Sequence, residues 1–239
     1  MLNTTQHMTR KISQSAFYAL VASVSIVSML FMVFFIAEPS ISHGQIDSNE
    51  FYIRQTITDE SSFLVQPSNI DMAGDINGVT GGNATGTTYF VVQSNNAAGY
   101  YVEISFEDNG TPVTMLGDES GSESIRDYDG DVGGEPSFAF VASSSSQFAY
   151  TVTSSTTDDT DGSFLHNGSA CNASTNDGLG INCWKEPTVA GFRIVDRDSA
   201  AVTGATSTLQ FKVHVPNSAI PVPQAETYTA TATLSLFVK

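Results

Sequence analysis

Two patterns of apolar residues divide this chain. Ile12 to Ala37 is an uncharged, mostly apolar run behind Arg10 and Lys11, whereas the rest alternates apolar and polar residues in short stretches broken by Gly, Asn, Asp and Pro. The hydrophobic segment 16–37 is, at about 20 residues, long enough to cross a bilayer as one N-terminal hydrophobic helix. Its basic-then-apolar order is that of an export signal, and Pro39 with Ser40 and Ser42 gives the run an end. A signal peptide cleaved near Ser42 or Gly44 and a retained signal anchor both fit residues 1–44. In either case Arg10 and Lys11 stay on the cytoplasmic side, which makes 45–239 an extracytoplasmic domain, at the cell surface or secreted.

The alternating stretches predict strands with one face in a core. In Tyr100 to Phe106, Tyr100, Val102, Ile104 and Phe106 share one face and Tyr101, Glu103 and Ser105 the other. In "TLQFKVHV", Leu209, Phe211, Val213 and Val215 face inward, with Gln210, Lys212 and His214 toward solvent. The final run places Tyr228, Ala230, Ala232, Leu234, Leu236 and Val238 on one face of a single strand. "TTYFVVQS" precedes Tyr100 across Asn95 to Gly99, which reads as a hairpin connection because Asn and Gly tolerate left-handed backbone. "FYIRQTI", "SFLVQPSNI", "SFAFVAS", "FAYTVTS" and "AGFRIV" add further short strands, and no amphipathic helix follows the leader. Nine or ten short strands between turn signals predict an all-β fold, a Greek-key, Ig-like or pilin-like β-sandwich, rather than a parallel sheet.

Charge narrows the partners. After residue 44 the chain carries 7 Lys and Arg against 24 Asp and Glu, a net charge of −17. Such a surface repels phosphate backbones and anionic lipid, which excludes nucleic-acid and peripheral membrane binding and leaves contact with the membrane to the N-terminal helix if it is uncleaved.

Location bears on the cysteines. In an oxidising compartment Cys171 and Cys183 are expected to form a disulfide. No further cysteine or histidine stands at zinc-finger spacing, and the separation is not that of a Cys-x-x-Cys redox pair. Asp127, Asp129 and Asp131 alternate on a Gly-containing stretch that suits calcium, the one metal suggested, although it departs from the EF-hand pattern; solvated acidic turns are the competing reading. Asn83, Asn109, Asn167 and Asn172 head glycosylation sequons and serve equally as turn residues. Trp184 and Tyr101 are candidate sugar-stacking rings, Trp184 also reading as packed beside the disulfide. After the leader only His166 and His214 remain as histidines, and no nucleophile-base, zinc-protease or P-loop pattern is present, so a catalytic role is not expected.

The segments "NIDMAGDINGVTGGNATGTTYFVVQSNNAAGYYVEISF", "NGSACNASTNDGLGINCW" and "PVPQAETYTATATLSLFV" together resemble exported bacterial surface β-sandwich proteins, the spore-coat-U-like and pilin-like domains. The likeness lies in pattern over about half the chain; the long N-terminal helix and the late cysteines depart from it. It implies a structural or adhesive role with no catalytic residues. Two functions follow. One is a non-catalytic filament or coat subunit that self-associates, or joins other surface proteins, by strand exchange, with Phe51, Ile53 and Ile57 on the donated strand. The other is an anchored carbohydrate- or calcium-binding module. A filament built on the apolar helix, as in type IV pilins, lacks the glycine and glutamate those proteins carry there.

Overall fold

A computed structural model describes residues 3–36, 52–110, 113–130, 133–140, 143–156, 159–173 and 182–239. The chain forms two compact units, Met1–Thr56 and Ile57–Lys239. The first contains helix α1 (Asn3–Ile36). Within it Gln14–Val33, with a mean hydropathy of 2.2, is long and apolar enough to cross a membrane. Its serines need not break the apolar character: Ser23 Oγ donates to the Leu20 carbonyl at 2.8 Å, which satisfies the hydroxyl within the helix.

The second unit is all β. In chain order its strands are β1 (Ser61–Val65), β2 (Ile76–Asn77), β3 (Gly81–Ser94), β4 (Tyr100–Phe106), β5 (Met115–Gly117), β6 (Ser124–Asp127), β7 (Ser137–Phe138), β8 (Gln147–Ser154), β9 (Cys183–Trp184), β10 (Phe192–Arg197), β11 (Ala201–Val215), β12 (Tyr228–Ala230) and β13 (Ala232–Val238). The large sheet runs β1-β3-β11-β8-β6-β5-β12, with β2 also on β3; the small sheet runs β10-β4-β13; β7 and β9 form a two-stranded ribbon. All pairings are antiparallel except the short β6-β8 contact.

Both sheets turn apolar residues into one core. From β4 come Tyr100, Val102, Ile104 and Phe106, and from β11 Leu209, Phe211, Val213 and Val215, all buried as the alternation predicts. Rings lock the sheets together: Phe106 of β4 meets Phe148 of β8 edge-on at 6.1 Å and Tyr150 at 5.4 Å. This is a two-layer sandwich.

Four expectations change. Asn95 to Gly99 is not a hairpin, because β3 pairs with β1 and β11 while β4 pairs with β10 and β13. The segment carries the chain from one sheet to the other, and Gly99 is required there: its φ is +90° and a Cβ would collide with the Arg197 carbonyl. The final run is two strands, since β12 joins β5 in the large sheet and β13 joins β4 in the small one, with Thr231 between them. Leu234 and Leu236 still pack on the core, but Val238 is exposed. "FYIRQTI" forms no strand over its described residues, 52–57. His214 does not face open solvent; it lies half-buried near the Phe140 ring, its pKa lowered first by burial and then by nearby Lys212.

Candidate functional site

The sandwich is closed at one end and open at the other. Where β4 starts, polar side chains seal it. Asn95 Oδ1 accepts from the Glu60 amide at 2.6 Å, and its Nδ2 donates to the Thr58 carbonyl at 3.0 Å. Buried Asn96 donates to the Lys239 carbonyl at 2.9 Å. Asp159, also buried, pairs with Arg197 at 2.5 Å, and the guanidinium donates on to the Ser199 and Ala200 carbonyls. Beside this pair Tyr100 is buried, and burial, reinforced by the Asp159 charge and opposed by Arg197, pushes its phenol up to about 12.

At the other end, where β4 finishes at Phe106 and β13 begins, a groove of about 1090 Å³ penetrates between the sheets. Ile104, Phe106, Met115, Phe148, Phe211 and Val213 form its floor, although each is almost shielded from solvent. Residues 67–72 make one wall and 222–231 the other, with Ala232 and Leu234 of β13 at the lip. β13 is the last strand of its sheet, so its outer edge has no partner strand among the described residues. A packed interior tolerates few voids larger than a water molecule, so a trough of this size, floored by core side chains beside an edge strand, is the candidate site among the described residues. The strand edge supplies main-chain donors and acceptors; the floor supplies apolar surface for alternate side chains.

The residues singled out from the sequence lie elsewhere. Cys171 and Cys183 are disulfide-bonded, with Cα atoms 5.8 Å apart. Trp184 is only 6% exposed, in a small second core with Tyr128, Ala149 and Phe140. Phe140 stands edge-on to the indole at 5.8 Å, and the Lys212 ammonium, its pKa lowered by burial, lies 4.6 Å from the Phe140 ring and 5.5 Å from the indole. A shielded indole offers no platform to a sugar. Tyr101 is also covered: its ring stacks on Phe237 of β13 at 4.8 Å, while the Arg193 guanidinium from β10, on the opposite side of the central strand, lies 4.3 Å from its centroid.

Asp127 is buried and accepts from the Thr114 amide at 3.0 Å and its hydroxyl at 2.6 Å. Burial raises its pKa, opposed by those two bonds. Asp129 accepts from the Gln147 side chain, and Asp131 lies outside the described residues. Among the described residues no three His, Cys, Asp or Glu side chains are grouped to hold a metal. Asn83 is exposed but lies inside β3, not in a loop, hydrogen-bonded to His214 at 2.7 Å. Asn109 donates to the Thr114 carbonyl, Asn167 accepts three bonds from Ser169 and Ala170, and Asn172 has a positive φ of 51°, all three as turn residues. His166 is buried, accepting from the Gly168 amide and standing edge-on to Phe138. Of the donor-strand residues, Ile53 and Ile57 are 88% and 81% exposed, while Phe51 lies outside the described residues.

Sequence reasoning missed the groove. Its only trace is the turn-rich character of "DMAGDING" and "PNSAIPVPQAE"; the strand expected over "SFLVQPSNI" ends at Val65, and its remainder stands in one wall. No protein-family model matches the chain, and no curated protein is significantly similar to it.

Proposed function

We propose that the protein is a non-catalytic structural component of the cell exterior, one that assembles with further copies by strand exchange and serves as a filament, coat or adhesive layer. The observation that carries this reading is the groove beside the unpaired edge of β13. The occupant is the stretch Phe51 to Ile57 of a second copy: an added strand would turn Phe51, Ile53, Gln55 and Ile57 to the floor and Tyr52, Arg54 and Thr56 outward. A second copy fits better than the same chain, because Thr58 and Glu60 are tied to Asn95 at the closed end, away from the groove. With Thr58, just after the donor stretch, tied at the end opposite the groove, such a contact would be head-to-tail and build an open chain.

The N-terminal apolar helix and the disulfide support an extracytoplasmic site of action. The test is a gel of material sheared from the cell surface, run with and without boiling. A heat-sensitive ladder that disappears on deletion of residues 46–58, leaving a folded monomer that binds a synthetic Phe51–Thr58 peptide, supports strand exchange. A ladder indifferent to the deletion, or a single band throughout, overturns it.

A further inference from the structure

The wall formed by residues 222–227 has few attachments of its own. Pro221 and Pro223 lack an N–H to donate, and the stretch enters strand pairing only at β12. Before that point, among the described residues, two side chains tie it to the rest of the domain. Gln224 Nε2 donates to Glu123 Oε1 at 2.8 Å. Glu226 Oε2 accepts from two successive amides, Glu119 at 3.0 Å and Ser120 at 2.9 Å, in the turn that follows β5. The Glu226 carboxyl group lies directly on Gly117, with no room there for a Cβ. Thr227, the next residue, accepts from the Asp118 amide at 2.9 Å and begins the pairing.

We propose that Glu226 is a positioning residue of the groove: by clasping the 222–227 wall to the Gly117–Ser120 turn, it holds that wall at the spacing an incoming strand needs. The inference rests on the acceptor reading given above. A wall held in place before the strand arrives loses less freedom when the strand binds, so the clasp strengthens retention of the donor. The charged and titratable groups around it are Asp118 and Glu119 on the turn, Glu123 on the strand side, and Tyr228, whose hydroxyl donates to the Gln224 carbonyl at 3.0 Å. A carboxylate among three others would ordinarily be disfavoured. Here the Ser120 amide holds the Glu226 pKa below its usual value, opposed by burial and helped by the Ser120 hydroxyl and the Glu119 amide. A lowered acid pKa means that the tie is fully present above the ordinary carboxylate value and fades as pH falls through the lowered one.

The experiment uses full-length protein assembled into its ladder, with two differently labelled populations mixed to follow exchange of subunits. Glu226→Ala is expected to speed exchange about tenfold, the equivalent of one charge-assisted hydrogen bond pair. Glu226→Gln, whose amide oxygen can accept from the same two N–H groups, is expected to stay within about threefold of the parent. The parent should exchange faster below about pH 4.5, the ordinary glutamate range, and the Gln variant should show no such acceleration. Gly117→Ala displaces the carboxylate without removing it and should behave as Glu226→Ala does; if either Ala variant fails to fold by circular dichroism, the Gln variant's pH profile decides. Ala variants that exchange at the parent's rate, or a Gln variant that keeps the parent's acid response, overturn the clasp while leaving the acceptor reading intact. A parent that forms no ladder, or a ladder that survives deletion of 46–58, overturns the acceptor reading and the clasp with it.

Discussion

The two ends of the sandwich solve the same problem differently. Where β3 hands over to β4, the core is sealed by its own chain: Asn95, Asn96, Arg197 and Lys239 each bond across sequence-distant segments. Where β4 ends, core side chains instead border a groove, and β13 is the edge strand of the small sheet among the described residues. Both ends keep their core side chains buried, but only one carries a groove along them. The lesson is that an opening in a β-sandwich can be local, confined to one end, while polar ties close the opposite end.

The comparison can be broken by paired truncations. Phe90, fully buried near the closed end and edge-on to Phe63 at 5.9 Å, should cost about 3–5 kcal/mol on replacement by Ala. Phe211→Ala, at the floor of the groove, should cost no more than about half as much, because its neighbourhood already contains space and little new cavity is made. Denaturant unfolding measures both; equal costs would mean that the ends do not differ. Next in size, replacing both Cys171 and Cys183 by Ala should lower stability by about 2–3 kcal/mol in the chain-entropy picture. The difference between the two Phe variants should survive that change, since β9 pairs with β7 and neither cysteine lines the groove.

A smaller effect follows from Tyr100. Its folded pKa of about 12 lies above the unfolded value of 10.0, so the phenol favours folding below pH 10 and that contribution is lost as pH rises from 10 to 12. Alkaline titration of stability should therefore slope downward over this window, and Tyr100→Phe should flatten it; an unchanged slope would place the responsible group elsewhere. The smallest change expected is from Tyr101→Ala, about 1 kcal/mol for a half-buried ring between a guanidinium and a second ring, again by denaturant unfolding.

Period-2 alternation made the faces of β4 and β11 legible, because burial on one side of a pleat leaves a direct mark on residue choice. It could not say which sheet a strand joins, since Asn95 to Gly99 reads alike as a hairpin or as a crossover between layers. Nor could it divide the final run: Thr231 fits the alternation and still falls where the pairing changes sheets. Trp184 eluded the pattern for a different reason. It serves a second core on the outer face of the large sheet, where Lys212 and His214 alternate as if exposed and are then roofed by Phe140. The groove was least legible of all, because a void is lined by the same apolar residues that would fill a core.

The long ladder between β3 and β11, in continuous register from Val92 opposite Ala205 to Gly82 opposite Val215, has a mechanical meaning. β8 pairs along the other side of β11 from Ser207 to His214, so this strand is gripped on both edges. A pull along the strand direction loads these hydrogen bonds together in shear, and they must yield collectively. The three-residue contact of β12 on β5 offers no such resistance and would peel one bond at a time. Under tension the domain would therefore soften first at the wall of its groove and hold longest along its central spine.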